Sequence, residues 1–387
     1  MKITYAAPVR PHPYKYAEAF ERANCLHAFI SGFSRLSPRS PLPTIGNKLK
    51  RHDHFWTVYL ACLKLNMPDA ITSWIHNTGN LEIDKASYPY AEKSDVFIYY
   101  RTTGMNTARI LHKKKSPTIC IMEEVNSHIE YANDILKEEH TKLRISSPFK
   151  SDFDYHKRLE AYDDADFILC PSGFVKRSFL SKGFQSEKLI QANFGFPKIE
   201  IDSPKLYLDD TFRVLYVGQI NYRKGLRYAI RAFDKLSIPK KEFFIVGPKT
   251  SITGLEDVVM PRGVYFTGPL KGSHLQEQYR RASLFILPSL EEGLALVQGE
   301  ALSFGTPLLI TTNTGGEDLI TNGIEGYIVP PADEYSLLQK MEEMATNKNL
   351  LRIMSLNALE TARNLGSWDM AVKKILTSLN PIIEQHA

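Results

Sequence analysis

PSLEEGLALVQGEALSFGTPLLITT, residues 288–312, decides how the chain is read. Just before it, Leu284-Phe285-Ile286-Leu287 is a short apolar run closed by Pro288, as suits a strand buried on both faces. Gly293 then frees the backbone, and residues 297–304 carry the apolar spacing of a helix packed on a sheet. Gly305 ends that helix and Pro307 opens a second strand at 308–311. Two carboxylates frame the unit: Glu292 in the loop and Glu300 in the helix. Eight residues rise ~12 Å if helical, so Glu300 lies about two turns beyond Glu292. The N–H groups of Gly293, Leu294, Ala295 and Leu296 fall between them, at a helix N-terminus that favours anions. A ligand with hydroxyls at both ends and phosphates in the middle fits this frame: a nucleotide diphosphate sugar.

Glu292-Gly293-Leu294 through Glu300-Ala301-Leu302, with Pro288-Ser289 before and Gly305-Thr306-Pro307 after, closely resembles a known motif. It is the E-x7-E motif of retaining glycosyltransferase family 4, the group 1 glycosyl transferases of the GT-B fold. The competing reading makes both Glu solvated carboxylates on an ordinary strand-helix unit; the apolar flanks of Glu300 speak against it. The resemblance is close over residues 155–370 and looser over 1–154. It implies an α/β protein of two Rossmann-like, doubly wound parallel-sheet domains facing across a cleft. Residues 1–203 would form the acceptor-side domain, completed by a helix at 368–387, and 204–367 the nucleotide-sugar domain.

Composition agrees with that size and class. At 387 residues the chain is too long for one ordinary core, and 43% hydrophobic with 24% charged residues describes a globular enzyme. No run approaches 18 apolar residues and no apolar stretch follows Met1, so neither a spanning helix nor a signal peptide is expected. Cys25, Cys62, Cys120 and Cys170 form no close pair, and Cys120 and Cys170 sit in apolar runs, as thiols of a reducing compartment do. Residues 1–120 carry 17 Lys/Arg against eight Asp/Glu, and the remainder 31 against 35. Arg10, His12, Lys48, Lys50 and Arg51 fall in or near irregular segments, so this basic part is either a solvated face or a contact for an anionic acceptor or lipid headgroup.

Along the chain, residues 2–7 read as a strand and 14–26 as a helix, joined by a turn without glycine where a dinucleotide fold would want G-x-G-x-x-G. Residues 35–56 read as an acceptor-side loop or small helix, 95–100 as a strand, 103–115 as a helix, 117–122 as a strand, and 155–165 as a helix leading to the strand before Ser172. Residues 198–210 read as the linker, 212–217 as the next strand, and 314–317 as the start of a further helix.

The resemblance assigns roles. His128, after the strand at 117–122, is the match for a histidine facing the donor sugar; a surface or capping histidine is the other reading. Lys224, with Arg223 beside it, would hold the diphosphate and stabilise it as it leaves, next to Gly218 and Gln219, where relatives usually carry Arg at the latter. Pro269 and Leu270 would border the nucleobase, Glu300 the ribose hydroxyls, and Glu292 the donor sugar. Gly293, Leu294, Ala295 and Leu296 would meet the phosphates. The implied reaction moves a sugar to an acceptor hydroxyl with retention, through a front-face mechanism and without metal or other cofactor. The acceptor would be a glycan or lipid-linked sugar in cell-surface polysaccharide, lipopolysaccharide or glycolipid synthesis, with the protein cytoplasmic and peripheral at the inner face of an anionic membrane. Nucleic acid is not an expected partner. A nucleotide-sugar epimerase of the same fold and a non-catalytic nucleotide-sugar-binding protein are the alternatives.

Overall fold

The computed structural model describes residues 1–8, 11–36, 44–65, 67–144, 152–196, 209–250 and 253–386. Arg10 and most of the linker expected at 198–210 lie outside the described residues, as does part of the loop expected at 35–56. Two all-parallel sheets organise the chain. The first contains β1 (Ile3–Ala7), β2 (Leu26–Ser31), β3 (Leu49–Arg51), β4 (Val96–Tyr100), β5 (Ile119–Glu123), β6 (Phe167–Cys170) and β7 (Leu189–Gln191). Their spatial order is 3-2-1-4-5-6-7. The second contains β8 (Phe212–Val217), β9 (Lys241–Val246), β10 (Val264–Gly268), β11 (Leu284–Leu287), β12 (Leu308–Thr311) and β13 (Gly326–Val329), in the order 10-9-8-11-12-13. β1, β4, β11 and β12 are buried at every residue, as parallel strands covered by helices on both faces must be.

In each sheet the strand order reverses once, between β1 and β4 and between β8 and β11. At such a reversal the loops leaving the two strands diverge and open a crevice at the carboxyl ends. The carboxyl ends of the two sheets meet: Ser127, after β5, donates to Glu291, after β11, and Ser172, after β6, donates to the carbonyl of Gly293 at 2.7 Å.

Several elements differ from the sequence reading. The helix expected at 14–26 runs Pro11–Arg22; Asn24 then takes the left-handed conformation (φ 56°) and the chain enters β2. The segment 103–115 is a 3-10 turn, Arg101–Gly104, followed by a helix, Met105–Lys113. Beyond Gly315 (φ 70°) the expected helix is a single 3-10 turn, Gly316–Asp318, because Asp318 accepts bonds from Gly173 N–H and the amide of Asn193 across the cleft. A helical hairpin, His54–Lys64 and Asp69–Ala91, and a helix Ile129–Leu143 add to the elements read from sequence.

The helix Trp368–His386 packs against Pro11–Arg22. Its Trp368 ring sits edge-on to Tyr16 at 5.0 Å, and its Asp369 pairs with Arg22 at 2.7 Å. The chain therefore crosses between the sheets twice, and the crossings lie side by side: Phe196 N–H donates to the Gly366 carbonyl at 3.0 Å.

Candidate active site

The site is built on the β8/β11 reversal. After β8 the chain makes a 3-10 turn, Tyr222–Lys224, and Gly225 adopts φ 61° before the helix Leu226–Lys235. A side chain at Gly225 would run into the carbonyl oxygen of Pro288, so only glycine lets the two loops lie together. Leu290 N–H donates to the Arg223 carbonyl at 2.9 Å and fixes their register. After β11, residues 288–295 lead to the helix Leu296–Ser303, whose N-cap is Ala295. A side chain at Gly293 would strike the Val125 carbonyl of the first domain, and one at Gly299 would strike the Phe196 ring. This helix is thus wedged between the second sheet and the crossing segment.

These constraints bring Arg223, Lys224 and Glu292 together. Lys224 is buried and ion-paired with Glu292; Arg223 Nη1 stands 3.6 Å from the same carboxylate. Burial and the neighbouring Arg223 charge push the Lys224 ammonium well below its ordinary pKa, and Glu291 pulls the other way. Glu300 lies further along the helix, where its carboxylate accepts from the Tyr279 hydroxyl at 2.9 Å. Burial raises its pKa and the tyrosine bond opposes the rise. Gly218 and exposed Gln219 follow β8, the Gln219 carbonyl accepting from Tyr216 at 2.7 Å. Exposed Pro269 and half-buried Leu270 follow edge strand β10. Leu294 is buried, and Ala295 and Leu296 are half-buried at the helix entrance.

His128 is placed elsewhere. It is the N-cap of Ile129–Leu143, with Nδ1 accepting from Glu130 N–H at 3.2 Å. Its ring is buried among Tyr162, Phe179 and Phe184, and burial pushes its pKa down to about 4. Of its two sequence readings, the structure displays the capping one. A different histidine reaches the β1/β4 reversal: His12 Nε2 lies 3.1 Å from Glu123, which also accepts from Tyr5 at 2.6 Å.

Sequence reasoning missed Glu291. Its buried carboxylate accepts from Ser127 N–H (3.0 Å), Ser127 Oγ (2.8 Å) and Asn126 Nδ2 (3.4 Å) of the first domain. Arg223 Nη1 donates to it (3.1 Å) and to its backbone carbonyl (2.6 Å). Burial would raise the Glu291 pKa, but Arg223 and Ser127 outweigh it and hold the group below its ordinary value. The series continues into the first domain. Arg101 donates to Asn126 (2.6 Å) and to Glu124 (3.0 Å), and Arg158 donates to Glu124 (2.6 Å). Arg158, Arg101, Arg223 and Lys224 face Glu124, Glu291 and Glu292, which leaves one positive charge in surplus along the run. Such an arrangement has room for an anion.

Among the described residues, one group with metal-ligating atoms within 4.8 Å of one another is His112, Cys120 and Asp166. It sits at the amino ends of β5 and β6, the far side of the sheet from the cleft. Burial raises the Cys120 thiol pKa far above its ordinary value, so the group is a poor thiolate donor.

Residues 211–347 match the family model described as glycosyl transferases group 1. An uncharacterised glycosyltransferase of Methanocaldococcus jannaschii is 28% identical over 171 residues, 43% of this chain and 44% of that one. The capsular polysaccharide biosynthesis glycosyltransferase CapM of Staphylococcus aureus is 24% identical over 215 residues, 52% of this chain and 55% of that one. The chain spans about half the length of the curated relatives it matches. HepE of Anabaena, solved in complex with UDP, is alike in fold: its TM-score is 0.64 at 14% identity, with 98% of this chain and 100% of that one covered.

Proposed function

The chain has the GT-B fold and its residues 211–347 are a group 1 glycosyl transferase domain; from that premise we propose that it transfers a sugar from a nucleotide diphosphate sugar to an acceptor hydroxyl, with retention. One observation carries the reading: Arg223, Lys224 and Glu292 converge where the strand order reverses, at the mouth of the helix that bears Glu300. Residues 204–367 hold the donor and residues 1–203, completed by 368–387, hold the acceptor.

In this mechanism the anomeric C–O bond to the diphosphate breaks while the acceptor oxygen bonds to the same carbon from the same face. The acceptor proton passes to the leaving phosphate oxygen. Lys224 and Arg223, aided by the N–H groups of 293–296, stabilise the charge that gathers on the diphosphate. Glu292 exchanges its contact with Lys224 for the donor sugar's hydroxyls and faces the positive charge developing on the ring. Glu300 accepts two hydrogen bonds from the ribose diol. Gly218, Gln219, Pro269 and Leu270 border the nucleotide, and fixed cations take the place of a divalent metal. HepE in complex with UDP makes a uridine diphosphate the first donor part to test.

The acceptor is a glycan or lipid-linked sugar in polysaccharide, lipopolysaccharide or glycolipid synthesis, met at the cytoplasmic face of an anionic membrane. CapM, a capsular polysaccharide enzyme, supports the first of these pathways. The hairpin His54–Ala91 supports membrane contact: Leu65 is 73% and Trp74 64% exposed, next to Lys64, and Val58 and Leu63 are also exposed. No helix among the described residues is long and apolar enough to cross a membrane.

Thermal shift against a panel of nucleoside diphosphates tests the donor reading. A ligand at 100 times its Kd adds about 2.7 kcal/mol of stability, so one base should raise Tm in step with the logarithm of its concentration. Incubation with the matching nucleotide sugar and an acceptor extract should then release nucleoside diphosphate and yield a glycoside of unchanged anomeric configuration by NMR. A panel without any concentration-dependent shift sinks the proposal, and an inverted product sinks retention.

A further inference from the structure

A cavity of about 310 Å³ opens at the β1/β4 strand-order reversal, beside the carboxyl ends of those strands. The helical hairpin supplies Trp56, Tyr59 and Asn80 to its wall, β4 and the turn after it supply Tyr100 and Arg101, and Arg158 comes from the helix Asp152–Asp164. The volume is at the small end of ligand pockets, the size for one compact polar molecule. Aromatic rings beside an amide and guanidinium groups offer both a flat apolar face and directional donors, which is what a sugar ring presents in complement. Two wall residues carry unmet hydrogen-bonding atoms while nearly enclosed: among the described residues Asn80 Oδ1 and Tyr100 Oη have no partner, and these residues are 8% and 5% exposed. Arg158 Nε is likewise without a partner. Buried polar atoms are rarely left so unless something else occupies the space.

The charge of the wall narrows the class of occupant. Among the described residues, no Asp or Glu lines the cavity. Among the described residues, Arg101 and Arg158 share one carboxylate, Glu124, which leaves one positive charge in surplus beside the cavity. Resting on the transferase reading, we propose that this cavity holds the sugar ring of the acceptor and that this ring carries a carboxylate or phosphate, received by Arg101 and Arg158. The ring stacks on the aromatic side, its hydroxyls satisfy Asn80 and Tyr100, and the acceptor end points across the cleft towards Glu292. The run of alternating charges from Arg158 to Lys224 then has an anion-binding place at each end, one for the donor and one for the acceptor.

Titration of the donor-free protein with glucuronate, glucose 6-phosphate and glucose, followed by tryptophan fluorescence and calorimetry, tests this. Glucuronate or glucose 6-phosphate, or both, should bind saturably, and glucose about tenfold more weakly, the scale of one hydrogen bond to a charged group. Which of the two anions binds identifies the carboxylate or the phosphate. Tyr59→Ala and Arg101→Lys should each weaken the anionic sugar about tenfold, and R101K should remove the preference over glucose. Binding of nucleoside diphosphate by the same variants is the folding control, since Lys224 and Glu300 are untouched. Absence of saturable sugar binding in a protein that binds nucleoside diphosphate overturns the cavity assignment and leaves the donor reading standing. Equal affinity for glucose and the anionic sugars, or binding indifferent to both substitutions, overturns it too. Sugar binding without nucleoside diphosphate binding would instead reject the donor site.

Discussion

Lys224 is buried and Glu300 half-buried, and loss of solvent moves their charges in different directions. Burial disfavours the Glu300 carboxylate and raises its pKa. Ribose hydroxyls need it ionised, so nucleoside diphosphate affinity should fall as pH drops through that raised value. Glu300→Ala should weaken binding by about 1.5–3 kcal/mol and abolish the pH step, both read by calorimetry; unchanged affinity in a folded variant removes Glu300 from the ribose site. Lys224 is pushed down instead, so its ammonium is lost as pH rises, earlier than for an ordinary lysine. Lys224→Ala should cost about 10²–10³ in turnover, since the charge it meets develops only as the glycosidic bond breaks; near-normal turnover would pass that role to Arg223. His128 illustrates stability rather than catalysis. Its folded pKa of about 4 lies below the unfolded value of about 6.5. The unfolded state therefore binds the proton first: the neutral ring's contribution is complete above that range and is lost as pH falls towards the folded value. In His128→Asn, another side chain able to cap, the urea midpoint should fall less between about pH 7 and pH 5 than in the parent protein. Identical falls would mean the ring is not held neutral.

The helix Leu296–Ser303 and its loop show how far an element can be read without coordinates. Gly305, Pro307 and the runs at 284–287 and 308–311 punctuate both strands, so β11, the helix and β12 come out within a residue or two. What the spacing does not carry is why Gly293 is glycine. The reason is a carbonyl, that of Val125, some 170 residues away in the chain. Gly293→Ala should push the two domains apart there. The expected result is a larger radius of gyration by small-angle scattering and a raised KM for donor, with the far-ultraviolet circular dichroism unchanged; scattering that matches the parent would show the loop yielding instead. β2 escaped notice for a similar reason. Leu26–Ser31 is apolar without alternation, and the break ahead of it is marked only by Asn24, a residue that tolerates a left-handed turn but does not demand one. The hairpin helices were hidden by mixed polarity. The helix expected from 314–317 is a single 3-10 turn because its acidic residues face the first domain: Glu317 pairs with Arg177 and Asp318 accepts from Gly173 N–H.

Across the whole molecule, the two-sheet plan was legible because parallel strands need continuous apolar runs between helices, a local pattern. The joining of the domains was not legible. Glu291 looks like one more charged loop residue until Ser127 and Asn126 stand against it. The basic character of residues 1–120 was legible as a count, but the exposed apolar residues of the proposed membrane contact were not: Leu65 and Trp74 lie on the hairpin rather than among the irregular segments. Leu65→Ser with Trp74→Ser should lower flotation with anionic liposomes at low salt, and added salt should lower that of the parent, because exposed charges lose reach as the Debye length shrinks. Flotation equal for parent and double variant would assign the hairpin to another surface role. The packing of Trp368–His386 on Pro11–Arg22 also bears on how the molecule is made. The ribosome delivers Tyr16 some 350 residues before Trp368. The apolar face around Tyr16 and Phe194 therefore waits, uncovered, through the synthesis of the entire second sheet. At about 5–20 residues per second that wait lasts tens of seconds, long enough for a chaperone to hold the face and for a stalled chain to aggregate through it. Of the two sheets, the one that emerges earlier is the one finished later.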